Sequence, residues 1–247
     1  MPERPQNRPP TAVTVIKMTW CVLLASVVLA AMMFPLIGGV GLMSNRASDV
    51  VANGSAQLVE GDAPAVSTMV DAKGNPIAWL YSQRRFEVPS DQIANTMKLA
   101  IVSIEDKRFA EHNGVDWKGT LTGLSGYMSG SADTRGGSTI EQQYVKNYQL
   151  LVVAQSDAER RAAIETTPAR KLREIRMALT LDKTFTKSEI LTRYLNLVSF
   201  GNGAFGIQDA AQTYFGINAN QLNWQQAALL AGMVQSTSGL DPYVNPD

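Results

Sequence analysis

The sequence predicts a mainly α-helical protein preceded by one membrane-spanning helix, and three observations lead to that fold class. After Pro89, apolar residues such as Ile93, Met97 and Ile101 recur near a period of 3.6, the spacing of one buried helix face. Regular alternation of strands and helices is missing from the pattern, which disfavours a doubly wound α/β fold. Residues 18–43 carry no charged side chain, and this length crosses a bilayer with some tilt.

The N-terminal region predicts the orientation of that span. Residues 1–17 are rich in proline and contain Arg4, Arg8 and Lys17 against one acid. The positive-inside rule therefore predicts a disordered cytoplasmic tail, followed by an uncleaved signal anchor at residues 18–43 and an extracytoplasmic remainder. A cleaved signal peptide is the alternative, although its apolar core normally has only about 7–15 residues.

Composition excludes several classes of protein. The 247 residues include 22 Lys+Arg and 22 Asp+Glu, and this balance argues against nucleic-acid binding, which usually shows as a basic excess. One cysteine and one histidine exclude a disulfide framework and any site that needs several such ligands.

The remaining elements follow in chain order. Residues 44–65 are small and polar, which predicts a juxtamembrane connector, and residues 66–247 are predicted to form one domain. Apolar runs at 66–70 and 77–81 flank a turn-forming stretch and predict a β-hairpin. Ser90 is predicted to cap a helix that ends at Glu105. Further helices are expected at Thr139–Val153, from Thr167 to about Leu181, and at Lys187–Leu197, Ala204–Phe215 and Asn223–Val234.

Two adjacent carboxylates, Glu105 and Asp106, end the first of these helices. Partial burial and a second negative charge both raise the pKa of a carboxyl group, which suits a general base. A solvated pair of helix-end acids is the alternative. His112, seven residues after Glu105, is more typical of a structural hydrogen-bonding residue than of a catalyst.

Two further stretches suggest anion binding. Gly136 to Thr139 precede a helix, and free N–H groups at a helix start can bind an anion; an ordinary capped turn is the alternative. The helix that contains Arg170, Arg173 and Glu174 begins a segment with six bases and two acids up to Lys187. Arginine is suited to phosphate recognition, whereas a solvated, salt-bridged helix face is the competing interpretation.

These stretches resemble the peptidoglycan glycosyltransferase domain of class A penicillin-binding proteins and monofunctional transglycosylases. The resemblance is carried by E-D-x-x-F-x-x-H-x-G-V-D at Glu105–Asp116, G-G-S-T-I-x-Q-Q-x-x-K-N at Gly136–Asn147, R-K-x-x-E at Arg170–Glu174 and K-x-x-I-L-x-x-Y-L-N at Lys187–Asn196. It implies a lysozyme-like fold with a small membrane-proximal jaw. It also implies an inverting hexosyltransferase that polymerises lipid II into β-1,4-linked glycan strands.

The resemblance also assigns roles to individual residues. It makes Glu105 the base on the acceptor hydroxyl, supported by Asp106. It places Glu174 at the donor pyrophosphate, with a divalent metal, Mg²⁺ or Mn²⁺, as the expected cofactor. Substrate-binding residues are expected at Ser138, Gln142, Gln143, Lys146, Arg170, Lys171 and Asn196, and residues that hold the first motif in shape at Phe109, His112 and Gly114. A mobile segment over the donor site is expected at Gly119–Arg135.

Some features depart from the family pattern. Glu141 stands where the family usually has threonine, which we expect to add a carboxylate beside the cleft, and the charged insert Ala154–Thr166 is long. The family's domain usually continues beyond the position of Asp247, and no transpeptidase motif is present. We therefore expect a truncated piece of a bifunctional protein, with a monofunctional enzyme as the alternative.

The expected partners are lipid II, the lipid-linked glycan strand, the bacterial cytoplasmic membrane, a transpeptidase domain or partner, and cell-wall synthesis proteins. Two other functions compete with the transferase. A hydrolytic or lytic muramidase would also use catalytic carboxylates, but it needs neither a pyrophosphate-binding cluster of cations nor a membrane anchor. A non-catalytic membrane-tethered module would need neither Glu105 nor Glu174.

Overall fold

The computed structural model describes residues 14–26, 58, 63, 66–120, 137–237 and 239–244. The chain divides into two units, Met1–Val50 and Val51–Asp247. In the first unit, residues 14–26 form a helix with exposed side chains. Among the described residues, no helix is long and apolar enough to cross a membrane.

Most of the N-terminal predictions fall outside the described part of the chain. Residues 27–43 of the predicted span, residues 1–13 of the tail and nearly all of the connector at 44–65 are not described. The cytoplasmic tail, the signal anchor and the connector therefore stay predictions.

In the second unit, the structure confirms the predicted β-hairpin. Strands β1 (Ser67–Val70) and β2 (Pro76–Leu80) are antiparallel. Asp71 closes the turn, because its carboxylate accepts hydrogen bonds of 2.8 and 2.9 Å from the backbone N–H groups of Lys73 and Asn75.

Seven helices, labelled in chain order, account for nearly half of the residues that the structure describes in this unit, and residues 117–120 are helical as well, so the mainly α class is confirmed. The pair β3 (Arg84–Arg85) and β4 (Ala204–Phe205) is parallel and was not predicted. A π-helical turn at Gln149–Val153 follows the second helix. The helices are α1 (Asn95–Glu105), α2 (Ile140–Tyr148), α3 (Asp157–Ile164), α4 (Pro168–Thr184), α5 (Lys187–Leu197), α6 (Ile207–Phe215) and α7 (Trp224–Gln235).

Capping side chains explain where three of these helices begin. Thr139, Thr167 and Thr186 each accept a hydrogen bond from a backbone N–H in the first turn of α2, α4 and α5, which satisfies a donor that the helix leaves free. The predicted cap at Ser90 is wrong. Ser90 belongs to a short 3₁₀ turn, and α1 begins later, after Ala94.

The core lies where α2 packs on α4 and α5, while α1 packs on α7. Its centre is apolar and almost fully buried, with members that include Met97, Ile101, Ile140, Met177, Tyr194 and Leu230. This packing brings the end of α1 to the start of α2, so the first two motifs meet in one place.

Candidate active site

Glu105 is the last residue of α1 and is half-buried. Its Oε2 accepts a 2.7 Å hydrogen bond from Nε2 of Gln143 on α2. Its Oε1 is buried and has no hydrogen-bond partner among the described residues. Burial raises the pKa of the Glu105 carboxyl, while the Gln143 hydrogen bond and the Lys146 charge oppose the rise. The free oxygen can therefore accept a proton from a substrate hydroxyl.

Asp106 follows Glu105 but has a different environment. It is buried, and its Oδ2 lies 3.1 Å from the Ile140 backbone nitrogen and 2.9 Å from Nε2 of His112. A carboxylate at a helix start is stabilised by the free N–H groups there. Asp106 therefore ties the end of α1 to the start of α2, and its support of Glu105 is positional.

The three residues predicted to shape the first motif lie in close packing. Phe109 is 5% exposed within the core, and His112 contacts Asp106. The Gly114 carbonyl accepts a 2.8 Å hydrogen bond from Thr139, which links the first motif to the second. Gly114 also has a φ of +77°, and a Cβ added there would lie 2.6 Å from the carbonyl oxygen of Ala178 on α4.

We expect Gly114→Ala to lower the free energy of unfolding by about 3 kcal/mol. The left-handed backbone costs about 1–2 kcal/mol for an L side chain, and the overlap with rigid backbone costs about 1–3 kcal/mol more. Gly203→Ala is the matched control, because Gly203 has a φ of +72° but open space around its Cβ position. Denaturant unfolding that gives equal losses for both variants would contradict the steric part of this account.

The basic helix α4 carries a tight ion cluster around Glu174, which is 5% exposed. Arg170 and Lys171 each form an ion pair with one of its carboxylate oxygens. Lys171 also donates to Ser138 Oγ at 2.7 Å and to Gln142 Oε1 at 2.8 Å. All three donors of the Lys171 ammonium are thus engaged, and this lysine cross-links α4 to the start of α2.

Beside this cluster lies a cavity of about 200 Å³, which we call the cation cavity. Its charged lining comes from Lys146, Arg170, Arg173, Glu174 and Glu159. The ammonium of Lys146 makes no hydrogen bond or ion pair with the part of the chain that the structure describes, so its charge is available to a ligand. Its apolar lining comes from Val145, Val153, Ala154, Ala162, Ala163 and Met177.

The long insert contributes to the same cavity. Residues predicted as a charged insert fold into helix α3, which begins with a capping box between Ser156 and Glu159. Glu159, Ala162 and Ala163 of this helix line the cation cavity. The lining of the cavity therefore combines positively charged and apolar side chains.

Glu141 does not lie beside the cleft as expected from the sequence. It is 0% exposed, and its Oε1 accepts a 2.6 Å hydrogen bond from Lys187, which also lies 2.8 Å from Asp182. Burial raises the pKa of the Glu141 carboxyl, and the Lys187 ammonium opposes the rise. Ligand-type atoms of Glu141, Asp106 and His112 lie within 4.8 Å of one another, but Lys187 already supplies the positive charge there.

Asn196, predicted to bind substrate, makes contacts within the protein. It is 8% exposed, its Nδ2 donates to the Val88 carbonyl at 2.8 Å, and its Oδ1 accepts from the Val88 N–H at 3.2 Å. Both ends of the amide are thus satisfied by one backbone position. Asn196 therefore fixes the chain at Val88, and its contact with substrate stays a prediction.

The amide residues of the second motif are divided between two tasks. Gln142 is 0% exposed and holds Lys171, whereas Gln143 contacts Glu105. The motif analysis gave no role to Tyr194, whose hydroxyl donates to Gln143 Oε1 at 2.9 Å. Tyr194 lies four residues after Ile190 and so shares its buried helix face. A buried phenol usually has a hydrogen-bond partner, and this reasoning could have identified Tyr194 from the sequence.

The divalent metal stays a prediction, and the described geometry of Glu174 does not fit a metal held by the protein alone. Both carboxylate oxygens of Glu174 accept hydrogen bonds from cationic side chains. The residues expected to form a mobile segment, 119–135, lie outside the described residues except for positions 119 and 120.

A helical domain with a half-buried carboxylate, and with a lysine that both acts on this carboxylate and lines a cavity rich in cations, fits a class of protein that transfers a proton next to an anionic group. The chain belongs to the transglycosylase family, whose model, described as "Transglycosylase", matches residues 73–247. Several curated proteins are similar to it. Penicillin-binding protein 1A of Streptococcus pneumoniae (strain ATCC BAA-255 / R6) is 39% identical over 183 residues, which is 73% of this chain and 24% of that protein.

Two more relatives extend the comparison. Penicillin-binding protein 1A of Streptococcus oralis is 36% identical over 222 residues, covering 90% of this chain and 32% of that protein. Penicillin-binding protein 1A/1B of Bacillus subtilis (strain 168) is 34% identical over 212 residues, covering 85% of this chain and 22% of that protein. The chain therefore spans between about a fifth and a third of the length of these relatives.

Proposed function

We propose that this chain is a peptidoglycan glycosyltransferase that polymerises lipid II into β-1,4-linked glycan strands and releases the lipid pyrophosphate. The observation that carries the proposal is the buried Oε1 of Glu105, which has no partner among the described residues, together with Lys146, whose charge acts on Glu105 and which also lines the cation cavity. Membership of the transglycosylase family and the likeness to penicillin-binding proteins support it.

In this mechanism Glu105 Oε1 takes the proton from the 4-hydroxyl of the acceptor sugar. The hydroxyl oxygen then bonds to the anomeric carbon of the donor, and the bond from that carbon to the pyrophosphate oxygen breaks. Attack opposite to the leaving group inverts the anomeric configuration. Lys146 and the cations of α4 balance the charge that develops on the pyrophosphate, which is the usual way that proteins stabilise a phosphate leaving group.

The ion cluster around Glu174 sets the shape of the donor side. Glu174 holds Arg170 and Lys171 in place, and Lys171 in turn holds Ser138 and Gln142. Arg170 and Glu174 line the cation cavity, and Lys171 links them to the start of α2, while Lys146 offers its charge to the ligand.

The setting follows from the same proposal. We place the catalytic domain on the outer side of the bacterial cytoplasmic membrane, in a lysozyme-like fold with a membrane-proximal jaw, anchored by the charge-free stretch at residues 18–43. The substrates are lipid II and the lipid-linked glycan strand. A transpeptidase domain or partner and other cell-wall synthesis proteins complete the setting.

The decisive experiment offers labelled lipid II to the detergent-solubilised chain, with and without a metal chelator, and separates the products by size. A ladder of glycan polymer with released lipid pyrophosphate supports the transferase. Cleavage of preformed glycan without polymer would point to a muramidase, and no reaction of either kind by folded protein would point to a non-catalytic module.

We expect Lys146→Met to lower kcat/KM for lipid II by roughly 10- to 100-fold, since hydrogen bonds to charged groups contribute about 1.5–3 kcal/mol. The Lys146 charge also lowers the pKa of Glu105. Its removal raises that pKa, so the acidic limb of the kcat/KM profile moves to higher pH. Lys183→Met, at the exposed end of α4, is the control. If the acidic limb does not move, the Lys146 charge does not act on the pKa of Glu105, and the prediction is wrong.

A further inference from the structure

The buried phenol of Tyr194 lies behind the proposed base. Tyr194 is on α5, is 0% exposed, and donates a 2.9 Å hydrogen bond to Oε1 of Gln143. Burial raises the pKa of this phenol well above its ordinary value, and the charge of Glu105 raises it further. The hydroxyl therefore keeps its proton at every working pH and remains a hydrogen-bond donor.

This hydroxyl determines which way the Gln143 amide faces. An amide has an accepting oxygen at one end and a donating nitrogen at the other. Since Oε1 accepts from Tyr194, Nε2 faces Glu105 and donates to its Oε2 at 2.7 Å. The reverse orientation would direct the amide oxygen at a carboxylate oxygen, and that contact is repulsive.

The amide orientation has two consequences for Glu105. Its Oε2 is occupied, so Oε1 is the oxygen left to accept the substrate proton. The Gln143 hydrogen bond also lowers the carboxyl pKa and thereby limits the rise caused by burial. The charged groups that act on this carboxyl are Lys146 from α2 and the adjacent Asp106.

We propose that Tyr194 is a positioning residue of the transfer reaction, which acts through Gln143 to hold Glu105 as an oriented, ionised base. The proposal rests on the proposed function, in which Glu105 takes the acceptor proton. The phenol ring itself packs in the core, where phenylalanine would fill the same space. The hydroxyl is thus the part of Tyr194 that the reaction requires.

The test compares lipid II polymerisation by wild type and Tyr194→Phe over a range of pH. We expect kcat to fall about 10-fold, KM to stay within about twofold, and the acidic limb to move to higher pH, because loss of one neutral hydrogen bond weakens the next. Tyr214→Phe is the matched control, since Tyr214 also donates from a partly buried hydroxyl, at 3.0 Å to the Phe200 carbonyl.

A double-mutant cycle separates positioning from general stability. In a Gln143→Met background, Tyr194→Phe should have no further effect on kcat or on the acidic limb, because the link to Glu105 is already gone. Tyr194→para-aminophenylalanine keeps an N–H donor and should restore the wild-type pH profile. Additive losses in the cycle, or a failed rescue in folded protein, would overturn the proposal.

The polymerisation assay distinguishes loss of the transferase from loss of the positioning role. Wild type that makes no polymer defeats the proposed function itself. Wild type that makes polymer, with a Tyr194→Phe variant of unchanged kcat and unchanged acidic limb, defeats only the positioning role. Where Tyr194→Phe melts at a much lower temperature than wild type, the para-aminophenylalanine variant decides, because it keeps a donor to Gln143 and must keep the wild-type acidic limb.

Discussion

Glu105→Gln is expected to abolish glycan polymerisation by the otherwise folded protein. The amide is nearly the size of the carboxyl but cannot take a proton from the acceptor hydroxyl at any useful pH. General-base catalysis contributes roughly 10²–10⁴-fold, and we expect a loss toward the upper end because Oε1 of Glu105 is the free carboxylate oxygen at the site. The measurement is the initial rate of lipid II consumption in detergent, with the melting temperature as a check of folding.

The pH dependence of the wild type adds a second readout. Burial raises the pKa of Glu105 above its ordinary value of 4.5, and a base acts only when deprotonated. We therefore expect kcat/KM to fall as the pH drops through that raised pKa. Glu111→Gln, an exposed acid in the same motif, is the control and should keep wild-type activity. If Glu105→Gln polymerises lipid II at a rate within about 10-fold of wild type, another residue is the base.

Lys187→Met is expected to cause the largest loss of stability. Glu141 is 0% exposed and its ion pair with Lys187 has a distance of 2.6 Å. Removing one partner of a buried ion pair leaves an uncompensated charge and costs about 3–5 kcal/mol, a large share of the roughly 5–15 kcal/mol by which domains are stable. Denaturant unfolding of the two proteins at constant pH measures the difference.

The sign of the pH effect follows from the raised pKa of Glu141 in the folded state. A carboxyl that binds its proton more tightly when folded contributes stability at pH below its unfolded pKa, and this contribution is lost as the pH rises through the folded pKa. Loss of the Lys187 charge raises the folded pKa further. The deficit of Lys187→Met should therefore be larger at pH 8 than at pH 5.

A double variant provides the control for this prediction. Glu141→Leu together with Lys187→Met removes both charges and should recover much of the lost stability, since buried ion pairs can often be replaced by apolar residues at little cost. A deficit of Lys187→Met below about 1 kcal/mol, or one that is the same at pH 5 and pH 8, would contradict the assignment of Glu141 as a buried charge.

The helix starts were the most predictable part of the fold. Thr139, Thr167 and Thr186 each cap the helix that follows them, and Pro168 occupies the first turn of α4. These signals are local, because a cap side chain bonds to N–H groups two or three residues away. Ser90 carried the same local signal, yet it lies in a separate 3₁₀ turn before α1.

Burial of polar side chains was not predictable in the same way. Glu141 and Asn196 belong to motifs that suggested cleft residues, but one pairs with Lys187 in the interior and the other bonds to the Val88 backbone. Their partners lie 46 and 108 positions away in the chain. Neither the periodicity of apolar residues nor the spacing within a motif predicts contacts between residues so far apart in the chain.

The sequence by itself determined the mainly helical class, the motifs that mark the family, and the candidate base and cations: Glu105, Lys146 and the basic face of α4. Only the tertiary structure decided how those groups are used. It leaves Oε1 of Glu105 free, engages every donor of Lys171 and leaves the ammonium of Lys146 to a ligand. It also places Tyr194 behind Gln143. The physical reason is that residue types set what a side chain can bond to, whereas the packing of α1, α2, α4 and α5 sets which partner it meets.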